Sequence, residues 1–322
     1  MNNSTRREFI KKTTLTENIT LHNGQLSFSA YRYPAENLAA PTVLCLHGFP
    51  DNANSFRHQI DDLVAAGYHV VVPTMRGYEP SSIPDDKNFS IAVMAGDVVA
   101  WLDQLETAKV HLVGHDWGTS VAYAVASFAP QRFLSLTTIA VPHPIRFQEA
   151  AKKVPSQLLK SWYMVFNQIP WVSDYVSKRN HWAFIAYLWR KWSPNLKVSD
   201  AQWADLVSTF EQPGVLQAML SYYRQNIPIS QLFGLKKAPD TQEKTILVPN
   251  LVITGADDGC IDTRMFDHAI VEQDFPKGVR LERIPDAGHF THQEKPGIVN
   301  KLMIDWFKAN DAKDSVDFFN DE

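Results

Sequence analysis

The five residues Gly114-His115-Asp116-Trp117-Gly118, set directly behind the apolar run Val110-His111-Leu112-Val113, constrain the fold of this chain more than any other segment. Glycines on either side of the central residues let the backbone turn sharply from a strand into a helix. Such a turn lifts one side chain clear of the sheet in a strained conformation. The lifted side chain here is a carboxylate, Asp116. A serine at this place needs a base to remove its proton before it attacks a carbonyl carbon. An ionised aspartate is already a nucleophile and suits displacement at a saturated carbon, with a covalent alkyl ester as product. The same five residues also fit a plain strand-to-helix turn around a buried structural aspartate, so the rest of the chain has to decide.

Around this turn the chain reads as alternating strands and helices. Residues 19–21 and 26–31 flank Asn23-Gly24, a hairpin signature. Residues 42–46 form a buried strand, 55–66 a helix ended by Gly67, 69–72 a strand, and 90–105 a helix with Ser90 at its N-cap. After the strand at 110–113 come a small-residue helix at 118–128 and a strand at 136–141. Short apolar strands separated by helices predict a parallel sheet covered on both faces. From His143 to about Thr245 the strand signals stop. Helical segments rich in large aromatics follow, with Trp162, Trp171, Trp182, Trp189, Trp192 and Trp203. Alternation resumes with a strand at 250–254, a helix around 266–273, a strand at 279–284 and a final helix at 296–307. The prediction is an α/β fold: a mostly parallel central sheet flanked by helices, built from residues 1–142 and 246–322, with 143–245 inserted as a helical cap. Residues 311–322, with Asp314, Asp317, Asp321 and Glu322, read as a solvated tail.

Composition narrows the classes of function. A net charge of −4, a pI near 6.3 and no basic stripe give no reason to expect nucleic acid. Cys45 lies in an apolar run and Cys260 in a loop, so no disulfide framework is predicted and a reducing compartment is expected. No uninterrupted apolar stretch approaches the ~20 residues needed to cross a bilayer, so a soluble protein with no membrane partner is expected. Thr5-Arg6-Arg7-Glu8-Phe9-Ile10-Lys11 reads like a twin-arginine export address, but the polar residues 12–18 cannot serve as the apolar region of a signal peptide. Cytoplasmic residence is expected.

Three further segments carry chemistry. His47-Gly48-Phe49-Pro50 closes the first buried strand, where its backbone can face the turn at Asp116. The arrangement that goes with such a turn takes one oxyanion donor from the residue after the nucleophile and another from this loop, here Trp117 and Phe49. For an aspartate, these donors would hold the non-attacking oxygen and later the oxyanion formed when water attacks the ester. The expected chain order is nucleophile, acid, histidine. Gly288-His289-Phe290 supplies the base, His289, with His292 its nearest competitor. Gly255-Ala256-Asp257-Asp258-Gly259 offers two adjacent carboxylates to orient it. Asp258 is preferred and Asp257 stays open. His47 and His115 are expected to hydrogen-bond their own loops. Neither a dinucleotide fingerprint nor a metal-ligand cluster is present, so no cofactor or metal is expected.

With these residues in view, the chain resembles the α/β-hydrolase superfamily and, within it, the soluble epoxide hydrolases, over about residues 19–307. Those enzymes pair a turn like His47-Gly48-Phe49-Pro50 with an aspartate turn like Gly114-His115-Asp116-Trp117-Gly118 and close the site with a helical cap. The resemblance implies two cap tyrosines that protonate the epoxide oxygen, since an alkoxide leaves poorly and a phenol of pKa ~10 can donate to it. Ser161-Trp162-Tyr163-Met164 matches the first such segment and Ser221-Tyr222-Tyr223-Arg224 the second. Tyr163 and Tyr223 are the expected donors. Ser221 stands where the family more often has asparagine, and this leaves Tyr222 open beside Tyr223. His47, Pro50, Trp117 and Trp162 are expected to line a pocket for an apolar, bulky or aromatic epoxide, with water as second substrate. Haloalkane dehalogenases share the aspartate, the histidine and the tryptophan at Trp117, but typically carry a polar or acidic residue after His-Gly where this chain has Phe49-Pro50. Fluoroacetate dehalogenases carry arginine at the position of Trp117. A ligand-binding protein that has lost turnover is a third reading. A cap of this kind can also serve as the surface of a homodimer, and no exposed apolar stripe is legible.

Overall fold

Eight strands form one sheet, in the order β1-β2-β4-β3-β5-β6-β7-β8. A computed structural model of the protein describes residues 15–227 and 245–320, with side chains described as far as residue 312. The twin-arginine-like segment therefore lies outside the described residues. The hairpin of β1 (Glu17–Asn23) and β2 (Leu26–Tyr33) sits at one edge, and β2 runs antiparallel to β4 (His69–Pro73). Every other pairing is parallel: β4 with β3 (Thr42–Leu46), β3 with β5 (Val110–His115), then β6 (Phe133–Ile139), β7 (Asn250–Gly255) and β8 (Val279–Ile284).

The central strands are apolar at nearly every position because both faces are covered. Leu44, Leu46, Val71 and Leu112 point into a core shared with α2 (Ile91–Gln104) and α3 (Trp117–Phe128). Their neighbours Val43, Cys45, Val70, Val72 and Val113 point the other way, toward α1 (Ile60–Ala65) and the C-terminal helix Pro296–Asn320. Between β6 and β7 the chain runs through α4 (Phe147–Lys153), α5 (Ser156–Lys160), α6 (Trp162–Asn167), α7 (Val172–Trp192), α8 (Asp200–Phe210) and α9 (Val215–Asn226). Helix α7 breaks at residues 179–182, where Asn180, His181 and Trp182 have φ of 51°, 53° and 63°. Side chains of α9 secure the start of α2: Gln225 Oε1 accepts from the Phe89 amide at 2.7 Å, and Asn226 Oδ1 from the Ile91 amide at 2.8 Å. No helix among the described residues is long and apolar enough to cross a membrane.

Several boundaries differ from the sequence expectation. The helix expected over 55–66 begins as a 3-10 turn, Ala53–Phe56, because the Asn52 side chain accepts from the Asn54 amide and starts it early; α1 follows separately. Ser90 precedes α2 but spends its hydroxyl on Asn88, so it does not cap the helix. The helix expected at 266–273 is confined to Phe266–Ala269. Asp311, expected to open a solvated tail, is tied down instead. The C-terminal helix continues to Asn320, and Asp311 accepts from the Tyr68 hydroxyl at 2.7 Å and from His111 Nε2 at 2.9 Å.

Packing is very tight where α3 meets the end of β3. A Cβ on Gly118 would stand 2.1 Å from the Leu46 carbonyl oxygen, backbone against backbone, with no flexible side chain to give way. Gly118→Ala is therefore expected to destabilise the protein by about 1–3 kcal/mol or more, as overpacking does. A lowered midpoint in urea unfolding checks this, and an unchanged midpoint would mean that α3 can slide away from β3.

Candidate active site

From β3 the chain moves outward to β4 on one side, then crosses back to β5 on the other. The loops leaving the carboxyl ends of β3 and β5 consequently part and leave a crevice, the usual position of a site in an open α/β sheet. Leu46 pairs with Gly114, so the turn at residues 47–50 and the turn at Asp116 leave the sheet side by side. Asp116 has φ 52° and ψ −119°, a left-handed conformation costly for any residue with a Cβ. Gly48 makes the approach feasible, since a Cβ there would lie 2.5 Å from Asp116 Cβ and 2.6 Å from its Oδ1. In that space the Phe49 amide donates to Asp116 Oδ1 at 2.7 Å, a short charge-assisted hydrogen bond. Trp117 opens α3, so its amide is among the first-turn donors that have no acceptor within the helix.

The imidazole of His289 stands between two carboxylates. Nδ1 donates to Asp258 Oδ2 at 2.9 Å and Nε2 to Asp116 Oδ2 at 3.3 Å. Asp258 is held in turn, its Oδ1 accepting from the amides of Cys260 at 2.6 Å and Ile261 at 2.9 Å, while Asp257 is exposed. The loop carrying His289 is anchored to the end of α7: the His289 amide donates to the Trp192 carbonyl at 3.0 Å, and the Phe290 amide to Ser193 Oγ at 2.9 Å. Burial opposes charge on His289. The anionic surroundings, Asp258 and Asp116 foremost among its hydrogen-bond partners, favour the imidazolium by more, so its pKa lies well above the ordinary value.

The other buried histidines behave differently. Burial lowers His47 to about 4 and His115 to about 3, and takes His292 well below the ordinary range. His115 Nε2 bonds the His289 carbonyl at 3.1 Å, and His292 Nε2 bonds Ser55 Oγ at 2.9 Å. Neither has a bond to Asp116. Asp258, Cys260 and His289 are also the trio among the described residues whose ligand atoms, within 4.8 Å of one another, could hold an ion.

A cavity of about 420 Å³ opens above Asp116, bounded by α3, the start of α2 and helices α4, α5, α6 and α9. Tyr163 and Tyr223 line it. Their rings stand edge to face at 5.7 Å, and Tyr223 is likewise edge-on to Phe49 and Trp117, each at 5.1 Å. The Tyr163 hydroxyl is within 3.2 Å of Cys260 Sγ, whereas the buried Tyr223 hydroxyl has no hydrogen-bond partner among the described residues. Burial, together with nearby anionic groups, holds both phenols well above their ordinary pKa and so keeps them protonated. Tyr222, the neighbour left open by the sequence, points away and donates to the Arg76 carbonyl at 2.5 Å.

Of the residues expected to line the pocket, Trp117 does and three do not. His47 turns toward β4 and accepts the Met75 amide at 3.1 Å. Pro50 is buried beneath α7, its carbonyl accepting from the Trp189 indole at 2.9 Å. Trp162 is 41% exposed on the outer surface against Phe184 and Tyr187, because it precedes Tyr163 on a short helix and so faces away from it. None of the six tryptophans between residues 143 and 245 lines the cavity. Trp182, Trp189 and Trp192 are core instead, and Trp171 is exposed. The sequence reading missed Cys260, two residues past Asp258 in the same loop, and Lys152, which with Asp116 supplies the charged groups of the lining.

Residues 41–296 match the alpha/beta hydrolase fold family. The chain is 31% identical to Epoxide hydrolase 4 of Homo sapiens over 280 residues, covering 85% of this chain and 74% of that one. It is 30% identical to an AB hydrolase superfamily protein of Bacillus subtilis, covering 83% and 90%. Among solved structures, a Bacillus megaterium epoxide hydrolase in complex with an inhibitor superposes with a TM-score of 0.78 at 26% identity, covering 91% of this chain and 100% of that one.

The two adjacent tyrosines should separate in stability. Tyr222→Phe removes a made hydrogen bond and is expected to cost about 1 kcal/mol, whereas Tyr223→Phe removes an unpartnered buried hydroxyl and is expected to be neutral or stabilising. Thermal unfolding of both variants checks this. The reverse order would mean that Tyr223 has a partner the cavity does not reveal.

Proposed function

Because the chain belongs to the α/β-hydrolase superfamily and, within it, to the epoxide hydrolase family, we propose that it converts an apolar epoxide to a vicinal diol through an ester on Asp116. One observation carries this reading. The Asp116 carboxylate has one oxygen on the Phe49 amide and the other facing His289, and it sits at the base of a cavity lined by two protonated tyrosines. A displacement that needs a nucleophile beneath the carbon and an acid above the oxygen matches that set of groups.

In the proposed cycle Oδ2 of Asp116 attacks a ring carbon, and the C–O bond of the ring breaks as Tyr163 and Tyr223 hydrogen-bond its oxygen and one of them gives it a proton. Oδ1 stays on the Phe49 amide and becomes the ester carbonyl oxygen. Forming the ester removes the negative charge of Asp116, so His289 keeps the support of Asp258 but loses that of Asp116, and its pKa falls. As its pKa falls the imidazolium gives up a proton, which restores the tyrosine that protonated the ring oxygen, and the neutral imidazole can then take a proton from water as that water attacks the ester carbon. The oxyanion on Oδ1 is held by the Phe49 and Trp117 amides. Collapse returns the carboxylate, and the departing diol oxygen takes its proton from His289. The largely apolar lining of about 420 Å³ suits an alkyl or aryl epoxide. A reducing, cytoplasmic setting accords with two buried free thiols, Cys45 and Cys260.

Two experiments test the cycle. In a single turnover with excess enzyme in ¹⁸O-labelled water and an aryl epoxide, the first diol is expected to be unlabelled and the peptide containing Asp116 to carry the label. Label passing straight into the diol would refute attack by Asp116. Substitution should follow the same logic: Asp116→Asn is expected to lose roughly 10⁴-fold or more of the rate, Tyr223→Phe roughly 10²-fold, and His289→Gln to accumulate the ester. The second experiment varies pH. Ring opening does not need a neutral His289 and hydrolysis does, so lowering the pH should slow hydrolysis selectively and build up ester, visible by rapid quench and mass spectrometry. Loss of ring opening at the same pH as hydrolysis would contradict the division of labour between Asp116 and His289.

A further inference from the structure

Thirteen large apolar side chains are exposed among the described residues, and eight of them fall between residues 158 and 187. They fall into two groups along the helical segment. In the first, Leu158 at 61% and Leu159 at 79% exposure precede Trp162 by about one helical turn, and Trp162 in turn meets Tyr187 of α7 with ring centroids 6.5 Å apart. In the second, Trp171 at 86% exposure is followed at once by Val172 and one turn on by Tyr175, and is preceded by Ile169. Singly exposed apolar residues are ordinary, but a concentration that includes two tryptophans and two tyrosines marks an interaction surface.

Charge selects its occupant. Between residues 147 and 191 seven lysines and arginines accompany two acids, a surplus of five positive charges in a chain whose net charge is −4. Both acids are already paired, Glu149 with Arg146 and Asp174 with Arg224. Lys152, Lys153, Lys178, Arg190 and Lys191 are exposed and make no ion pair among the described residues. A second copy docking through the same face would set this surplus against itself. An anionic lipid surface would neutralise it, with tryptophan and tyrosine at the headgroup level and leucines just below, the composition of a segment that lies on a bilayer without crossing it.

We propose that this face, α5 to α7 with the basic residues around it, docks the protein on an anionic lipid bilayer. The cavity gives the docking a use. Leu158 belongs both to the exposed group and to the cavity lining, as does the exposed Lys152 among the cations, so the cavity opens at the edge of this face. An apolar epoxide dissolved in the bilayer could enter without passing through water. Docking itself does not depend on the proposed chemistry, because it can be measured without turnover.

The test is co-sedimentation of the full chain with phosphatidylcholine vesicles, pure or doped with phosphatidylglycerol. Binding to the anionic vesicles is expected to be more than about tenfold tighter, to weaken with added salt and to shift tryptophan emission to the blue. The double variants Leu159→Ser/Trp171→Ser and Lys178→Glu/Arg190→Glu should each lose it while turning over a small water-soluble epoxide at the unaltered rate. Equal binding to neutral and anionic vesicles, or none, would overturn the proposal. So would a dimer in sedimentation velocity that Leu159→Ser/Trp171→Ser dissociates, since the occupant would then be a second copy.

Discussion

The hydrogen bond from the Phe49 amide to Asp116 Oδ1 is the interaction on which the rest of the site depends. It exists only because two backbone segments come closer than side chains allow, with Gly48 lying against Asp116 and Gly118 against Leu46. Bringing those segments together fixes the carboxylate in a left-handed backbone conformation and commits one oxygen to a donor, leaving the other free to face His289. A carboxylate held this way has little freedom left to lose in the attack proposed for it, which is the physical content of preorganisation.

His289 depends on elements far apart in the chain. Asp258 comes from the loop after β7, Asp116 from the turn after β5, and the loop carrying the histidine is pinned by Trp192 and Ser193 at the end of α7. The helical segment between β6 and β7 therefore does more than roof the cavity with Tyr163 and Tyr223. The end of α7 also sets the position of His289. Two carboxylates on one imidazole favour its charged form in the resting protein, and neutralising either one weakens that preference. His115 and His292, equally buried but without a carboxylate partner, move in the opposite direction.

The mostly parallel sheet, the places of its strands along the chain and the positions of the chemically loaded loops were legible because they rest on local signals, whereas the order of the strands within the sheet was not. Apolar runs of four to seven residues bounded by glycine and polar residues mark buried strands, and a glycine-flanked aspartate after one of them marks a sharp turn. Errors gathered where a side chain's direction mattered. Trp162 and Tyr163 are consecutive on one short helix, so only one of them can face the cavity. His47 and Pro50 border the same turn as Phe49, yet both are drawn away by Met75 and Trp189, partners remote in sequence. Asp311 looked like part of a solvated acidic tail, since nothing nearby announces that Tyr68 and His111 await it. The choice between Tyr222 and Tyr223 was closed by the Arg76 carbonyl, and Asp258 was separated from Asp257 by the amides of Cys260 and Ile261.

By itself the sequence determined which residue types stand at the ends of the strands: a carboxylate at the sharp turn, amide donors beside it, a histidine and an aspartate in later loops, and tyrosines in the helical segment. These follow from backbone demands and local periodicity, which a linear chain records directly. Tertiary structure alone decided which tyrosine faces the cavity, that six tryptophans leave it unlined, and that eight large apolar side chains between residues 158 and 187 stay exposed. The reason is geometric. Side-chain direction on short helices, and the partner each polar group finds, are set by packing between segments tens to hundreds of residues apart, and no local pattern encodes that packing.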